Sequence, residues 1–152
     1  MSLTFGMQSA GDCLKDFRRK IDLFDQDGLN TSLAMECSIA GWTVPDWIFK
    51  CDGQRLGYKT IRQLQDKIKT ECQDLAYLQD LANARKHRDI TKYTPFVKST
   101  DIHGGAFSQA FSRDFDISRL VFDTDLGERD FWTTLQIALA YYKAYFDQNK
   151  II

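Results

Sequence analysis

The chain has 152 residues, a formal net charge of −1, 43% hydrophobic residues and 13% aromatic residues. That length and composition suit one domain with a full-sized core, so neither disulfides nor metal are needed to hold it. The near-zero charge excludes a global field that would draw the whole molecule to nucleic acid or to an anionic membrane, and leaves only a local patch for such binding.

Leu14, Phe17, Ile21 and Phe24, with Ala10 one turn earlier, recur at helical spacing and predict a first helix over Ser9 to Gln26. Gly28, in DQDG, is expected to stop it in a left-handed conformation. Asn30, Thr31 and Ser32 are all good N-caps for a second helix through SLAMECSIAGW. Leu33, Met35, Cys37, Ile39, Ala40 and Trp42 cover most of its circumference, which predicts a central helix with Trp42 largely buried. Pro45 is expected to kink that helix or to start a new one at PDWIF. Lys50 to Tyr58, with two glycines, reads as a loop. Ile61, Leu64 and Ile68 mark a short helix. Leu75, Leu78, Leu81 and Ala82 mark another that ends near Arg88, with the polar ECQD as a break or a change of face.

After Thr91, KYTPFVKSTDIHGG has no helical period and is expected to be a loop or an irregular extended segment. The triplet AFS occurs at Ala106–Ser108 and again at Ala110–Ser112, copies too close to be a structural repeat. ISRLVFD, rich in β-branched and aromatic residues and followed by the turn DTDLGE, predicts a strand that pairs with something short. A final helix over Arg129 to Gln148 carries Leu135, Leu139, Tyr142 and Phe146 on one side, widened by Phe131, Ala138 and Tyr145. The fold class expected is mainly α: a single helical domain over residues 1–152, a bundle with a small β element before the last helix.

The stretch LQDLANARKHRDIT, Leu78 to Thr91, concentrates the polar chemistry. On a helix, Asp80, Asn83 and His87 fall within about 60° of one another, opposite Leu75, Leu78 and Leu81. Three readings stay open: a solvated helix back, a buried polar link helped by Ala76 and Ala84, or a functional site. Arg85, Lys86 and Arg88 suit the dipole of a helix C-terminus whatever else they do. FRRK, Phe17 to Lys20, is a second basic cluster, and the two together would hold a phosphate or an RNA backbone if they faced one way. The binding candidates are therefore Asp80, Asn83, Arg85, Lys86, His87 and Arg88; if the protein is an enzyme, Asn83, Lys86 and His87 are its catalytic candidates. The loop after Thr91 carries Tyr93 and Phe96, whose need for burial is expected to fold it over Asn83 and His87, with those two side chains bonded to its backbone.

Other chemistries lack their residues. Cys13, Cys37, Cys51 and Cys72 form no Cys-x-x-Cys pair, so neither a zinc site nor a disulfide is expected. DQDGLN puts Leu29 at the fifth calcium-ligand position and its glycine two places early. No phosphate-binding Gly-rich loop, nucleophile elbow or His-Glu-x-x-His occurs, and no metal or cofactor is expected. Trp42 and Trp47 would stack a base or ligand, but aromatics at helical spacing are ordinarily core. No apolar run approaches the ~18 residues of a membrane span. MSLTFGMQSAGD lacks the features of a secretory signal, so a cytoplasmic location is expected.

GWTVPDWIFK (Gly41–Lys50), CQDLAYLQDLANARKHR (Cys72–Arg88) and GGAFSQAFSRDFDISRLVFD (Gly104–Asp123) together resemble a family of small uncharacterised proteins of bacteria and their mobile elements. Its shared features are an Asp-Leu-Ala-Asn-x-x-Lys-His motif, here Asp80, Leu81, Ala82, Asn83, Lys86 and His87, and the Ala-Phe-Ser segment downstream. A broader similarity is to HEPN domains, helical bundles that include RNases of toxin and phage-defence systems and many inactive relatives. The active ones place an arginine four to six residues before a histidine. Here those positions hold Asp80, Leu81 and Ala82 ahead of His87, and Phe96, Val97 and Lys98 ahead of His103. No catalytic constellation is complete, so a non-catalytic binding or regulatory module is expected, with a HEPN-like nucleic-acid-acting enzyme as the alternative. A protein partner, a second copy of the chain or RNA are the partners it leaves open; a membrane is not among them.

Overall fold

The computed structural model describes residues 3–105 and 117–152, so both AFS copies and much of the Gly104–Asp123 segment lie outside the described residues. Caps set the early helices. Ser9 Oγ accepts from the Asp12 N–H while Asp12 accepts from the Ser9 N–H, a capping box that opens α1 (Ala10–Gln26). Asn30 Oδ1 accepts from the Leu33 N–H and opens α2 (Thr31–Asp52). Thr60 and Gln63 form a second box ahead of α3 (Ile61–Glu71). The extended backbone of Cys72 ends α3 and starts α4 (Gln73–His87), the break expected at ECQD. Gly28 is not left-handed; α1 stops at Asp27, whose N–H turns back to the Phe24 carbonyl.

α2 runs as one helix through Pro45 to Asp52, so no new helix starts at PDWIF and the loop begins at Gly53 rather than Lys50. Its position at the centre comes from small residues. Ala34, Cys37, Ser38, Ala40, Gly41 and Val44 form its buried face, whereas Trp42 is only half-buried on the flank, contrary to the expectation of a buried tryptophan. A β-carbon on Gly41 would lie 2.8 Å from the Phe17 ring and 2.9 Å from the Leu78 side chain. α1, α2 and α4 therefore meet at a point that only glycine fits.

The segment after Thr91, expected to be a loop or an irregular extended stretch, contains a strand whose register shifts between Val97 and Ser99. β1 (Val97–His103), β2 (Arg119–Thr124) and β3 (Gly127–Asp130) form an antiparallel sheet in that order. Thr100 faces Phe122, Ile102 faces Leu120, and Val121 faces Asp130. β1 is an edge strand, exposed at Lys98 through Ile102, so burial never imposed an alternating pattern that the sequence could display. Gly127 turns the chain between β2 and β3 at φ +106°. Asp130 then caps α5 (Phe131–Asn149) by accepting from the Thr133 N–H. The chain is thus mainly α, with a small antiparallel sheet ahead of its last helix.

α4 lies between the two layers. Leu78 packs toward α2, while Tyr77 meets Phe122 of β2 edge-on at 5.2 Å. Asp74, near its start and buried, accepts from Arg129 Nη2 at 2.9 Å and from Thr134 Oγ1 at 2.7 Å. Cys13, Cys37 and Cys72 are buried and Cys51 is exposed; burial pushes the Cys13 and Cys37 thiols up to about 12. Among the described residues no helix is long and apolar enough to cross a membrane, and no group of three or more His, Cys, Asp or Glu is placed to hold a metal ion.

Candidate functional site

The candidate residues of α4 separate into a buried part and an exposed part. Asp80 is 2% exposed, so it does not lie on a solvated helix back. The leucine stripe misleads here because α4 is covered on both sides, by α2 and by the sheet. Asp80 Oδ2 accepts from the N–H groups of Phe96 at 2.7 Å and Val97 at 3.0 Å. Its Oδ1 accepts from the Tyr93 hydroxyl at 3.0 Å, and that hydroxyl accepts from Asn83 Nδ2 at 3.0 Å. The link between Asn83 and Asp80 therefore passes through Tyr93. Burial raises the Asp80 carboxyl above its ordinary value, and the bonds from Val97, Tyr93 and Phe96 oppose that rise. Burial also pushes the Tyr93 phenol up to about 12, so it stays a hydroxyl donor at neutral pH.

The downstream loop does come back over α4, but not as expected. It is bound by Asp80 rather than by Asn83 and His87. Asn83 reaches a side chain instead of the loop backbone, and His87 is exposed. Burial of aromatic rings is not what holds the loop: Tyr93 remains 37% exposed and Phe96 51% exposed.

Arg85, Lys86, His87 and Arg88 are all exposed. Arg88 ends α4 with φ +63° and ψ −58°, and the Asp89 N–H donates to the His87 carbonyl at 2.7 Å. This is a classic γ-turn, a rare and strained conformation for a residue with a β-carbon. Among the described residues its only ion pair is with Asp89 at 4.0 Å, between two largely exposed groups. Arg85, Lys86 and His87 make no hydrogen bond or ion pair within 4 Å among the described residues, although Asp46 of α2 lies within electrostatic reach of Lys86. The second basic cluster is different: Phe17 is in the core, and Arg19 and Lys20 both pair with Asp16 at 2.9 Å. His103, the other histidine, lies at 3.1 Å from Glu128 on the sheet.

Sequence reasoning named Tyr93 and Phe96 only as residues needing burial and passed over Lys98. The signal that identifies them is the interleaving of cations and aromatics from Arg85 to Lys98. In the fold, Arg88, Pro95 and Lys98 line one cleft of about 270 Å³ floored by Leu81, Ala84 and Ile90. No family model, curated protein or solved structure matches the chain.

Proposed function

We propose that the protein is a non-catalytic binding module of a bacterial or mobile-element system, and that the exposed end of α4 is its contact surface for a polyanionic partner. The observation that carries this reading is a run of four exposed basic side chains, Arg85 to Arg88, three of them without an ion pair among the described residues. A solvated patch with an excess of positive charge attracts an extended anion even when the molecule as a whole is almost neutral. The Asp80 network fixes the chain just beyond the helix, so the patch is held on an ordered surface. Catalysis is not favoured, because Asn83 is tied to Tyr93 and does not reach His87.

Fluorescence anisotropy with an RNA 20-mer and with inorganic polyphosphate tests this. Binding should weaken with salt, with a log–log slope on the order of −2 for three phosphate contacts on a single strand. Lys86→Glu should lower affinity for both probes. Absence of binding, or binding that Lys86→Glu leaves unchanged, overturns the reading. Cleavage of the RNA that disappears in His87→Ala replaces it with the HEPN-like nuclease.

A further inference from the structure

We propose that the polyanion is a single-stranded nucleic acid whose unpaired bases stack on Phe96 and Tyr93 while its phosphates lie along Arg85, Lys86 and Arg88. This rests on the polyanion reading above and adds what that patch selects. Cations alone do not distinguish polyphosphate, duplex and single strand; exposed aromatic faces beside them do, because only unpaired bases are free to stack.

Three observations place such faces here. Phe96 is 51% exposed and Tyr93 37% exposed, although both belong to a loop tied down at several points. Each is oriented by the same carboxylate: the Phe96 N–H and the Tyr93 hydroxyl both donate to Asp80, and Asn83 donates to the Tyr93 hydroxyl. The Tyr93 ring is therefore held by its hydroxyl, and the backbone that carries Phe96 is fixed, which reduces the ordering entropy that a ligand must overcome. Finally, Arg88 and Lys98, which flank Tyr93 and Phe96 in the sequence, line one cleft together with Asp80, Asp89, Pro95 and Val97, so cations lie on both sides of the aromatic loop along the chain. A duplex keeps its bases stacked on one another and would meet only the charges.

The test compares oligo(U), a matched RNA duplex and inorganic polyphosphate on the full chain. Oligo(U) should bind about tenfold more tightly than polyphosphate of equal charge, and more tightly than the duplex. Phe96→Leu, which keeps the backbone N–H bonded to Asp80, should weaken oligo(U) by about tenfold while leaving polyphosphate unchanged. A 2-aminopurine oligonucleotide should be quenched by the wild type and not by Phe96→Leu. Equal affinity for duplex and single strand, or an unaltered oligo(U) affinity in Phe96→Leu, overturns this inference and leaves the polyanion reading standing. Failure of all three probes to bind removes both.

Discussion

The Tyr142 hydroxyl donates to the Gly41 carbonyl at 2.6 Å, at the position in α2 where Pro45 withholds the N–H that would otherwise have bonded it. A residue 101 positions away thus completes the hydrogen bonding of a helix interior, which explains how α2 runs through its proline. Tyr142→Phe should cost about 1–3 kcal/mol in urea unfolding, because it leaves a buried carbonyl without a donor. Pro45→Ala supplies a new N–H four residues on, and in the Tyr142→Phe background it should recover part of that loss. A double-mutant cycle should show coupling of more than about 0.5 kcal/mol; strictly additive effects would refute the compensation.

Asp80 should show two different costs. Asp80→Ala strands the Phe96 and Val97 N–H groups and should destabilise by about 3 kcal/mol. Asp80→Asn keeps an oxygen for them and removes the buried charge, so it should cost less. The carboxyl is raised above 3.8 in the fold, so the folded state holds its proton more tightly than the unfolded chain does. Its contribution to stability is full below 3.8 and is lost as the pH rises through the folded value. The stability of the wild type relative to Asp80→Asn should therefore fall as the pH rises from 3.8 through the folded value. A difference that stays flat, or that grows with pH, contradicts the assigned direction.

Arg88 offers a test of sign. An alanine ordinarily stabilises a backbone relative to glycine, by about 0.5–1 kcal/mol. At a strained positive φ the order reverses. Arg88→Gly should be more stable than Arg88→Ala by about 1 kcal/mol, since both lose the side chain and only glycine relieves the γ-turn. Thermal melts of the two variants decide it, and a more stable alanine variant would mean that the turn is not held in this conformation.

Asn83 and His87 should separate in their effects. Asn83→Ala removes one partly exposed hydrogen bond to Tyr93 and should cost about 0.5–1.5 kcal/mol. His87→Ala touches no hydrogen bond among the described residues and should change stability by less than about 0.5 kcal/mol. RNA should remain intact with the wild type and both variants. Cleavage by the wild type that either variant abolishes would assign these residues a catalytic role.

What could be read from the chain alone depended on whether the cause was local. Asn30 acts on an N–H group three residues away, so the start of α2 was visible as a short pattern; Ser9 and Thr60 cap over the same distance but were not singled out. The strand ISRLVFD was visible because β2 is buried at Leu120, Val121 and Phe122. Its partner β1 was not, because an exposed edge strand such as VKSTDIH is specified by its neighbour rather than by its own residues. Asp80 was assigned to the right cluster, but its environment stayed open among a solvated back, a buried link and a functional site. Its partners are backbone N–H groups 16 and 17 residues downstream, and backbone groups carry no residue-specific signal. Trp42 was misplaced because an all-round apolar helix does not say which face makes the close contact, and here the small residues do.

Asp74 sets an order of events. Its partners, Arg129 and Thr134, lie 55 and 60 residues downstream. During synthesis, α1 to α4 are complete long before either donor exists, and until then the Asp74 carboxylate has to keep its water. The early helices therefore cannot close their side facing α5 ahead of time. The groups that allow the middle of the chain to dry come from β3, in Arg129, and from the first turn of α5, in Thr134. Amide protons at the start of α4 should consequently gain protection in the same kinetic phase as those of β3 and the first turn of α5, and later than those of α1.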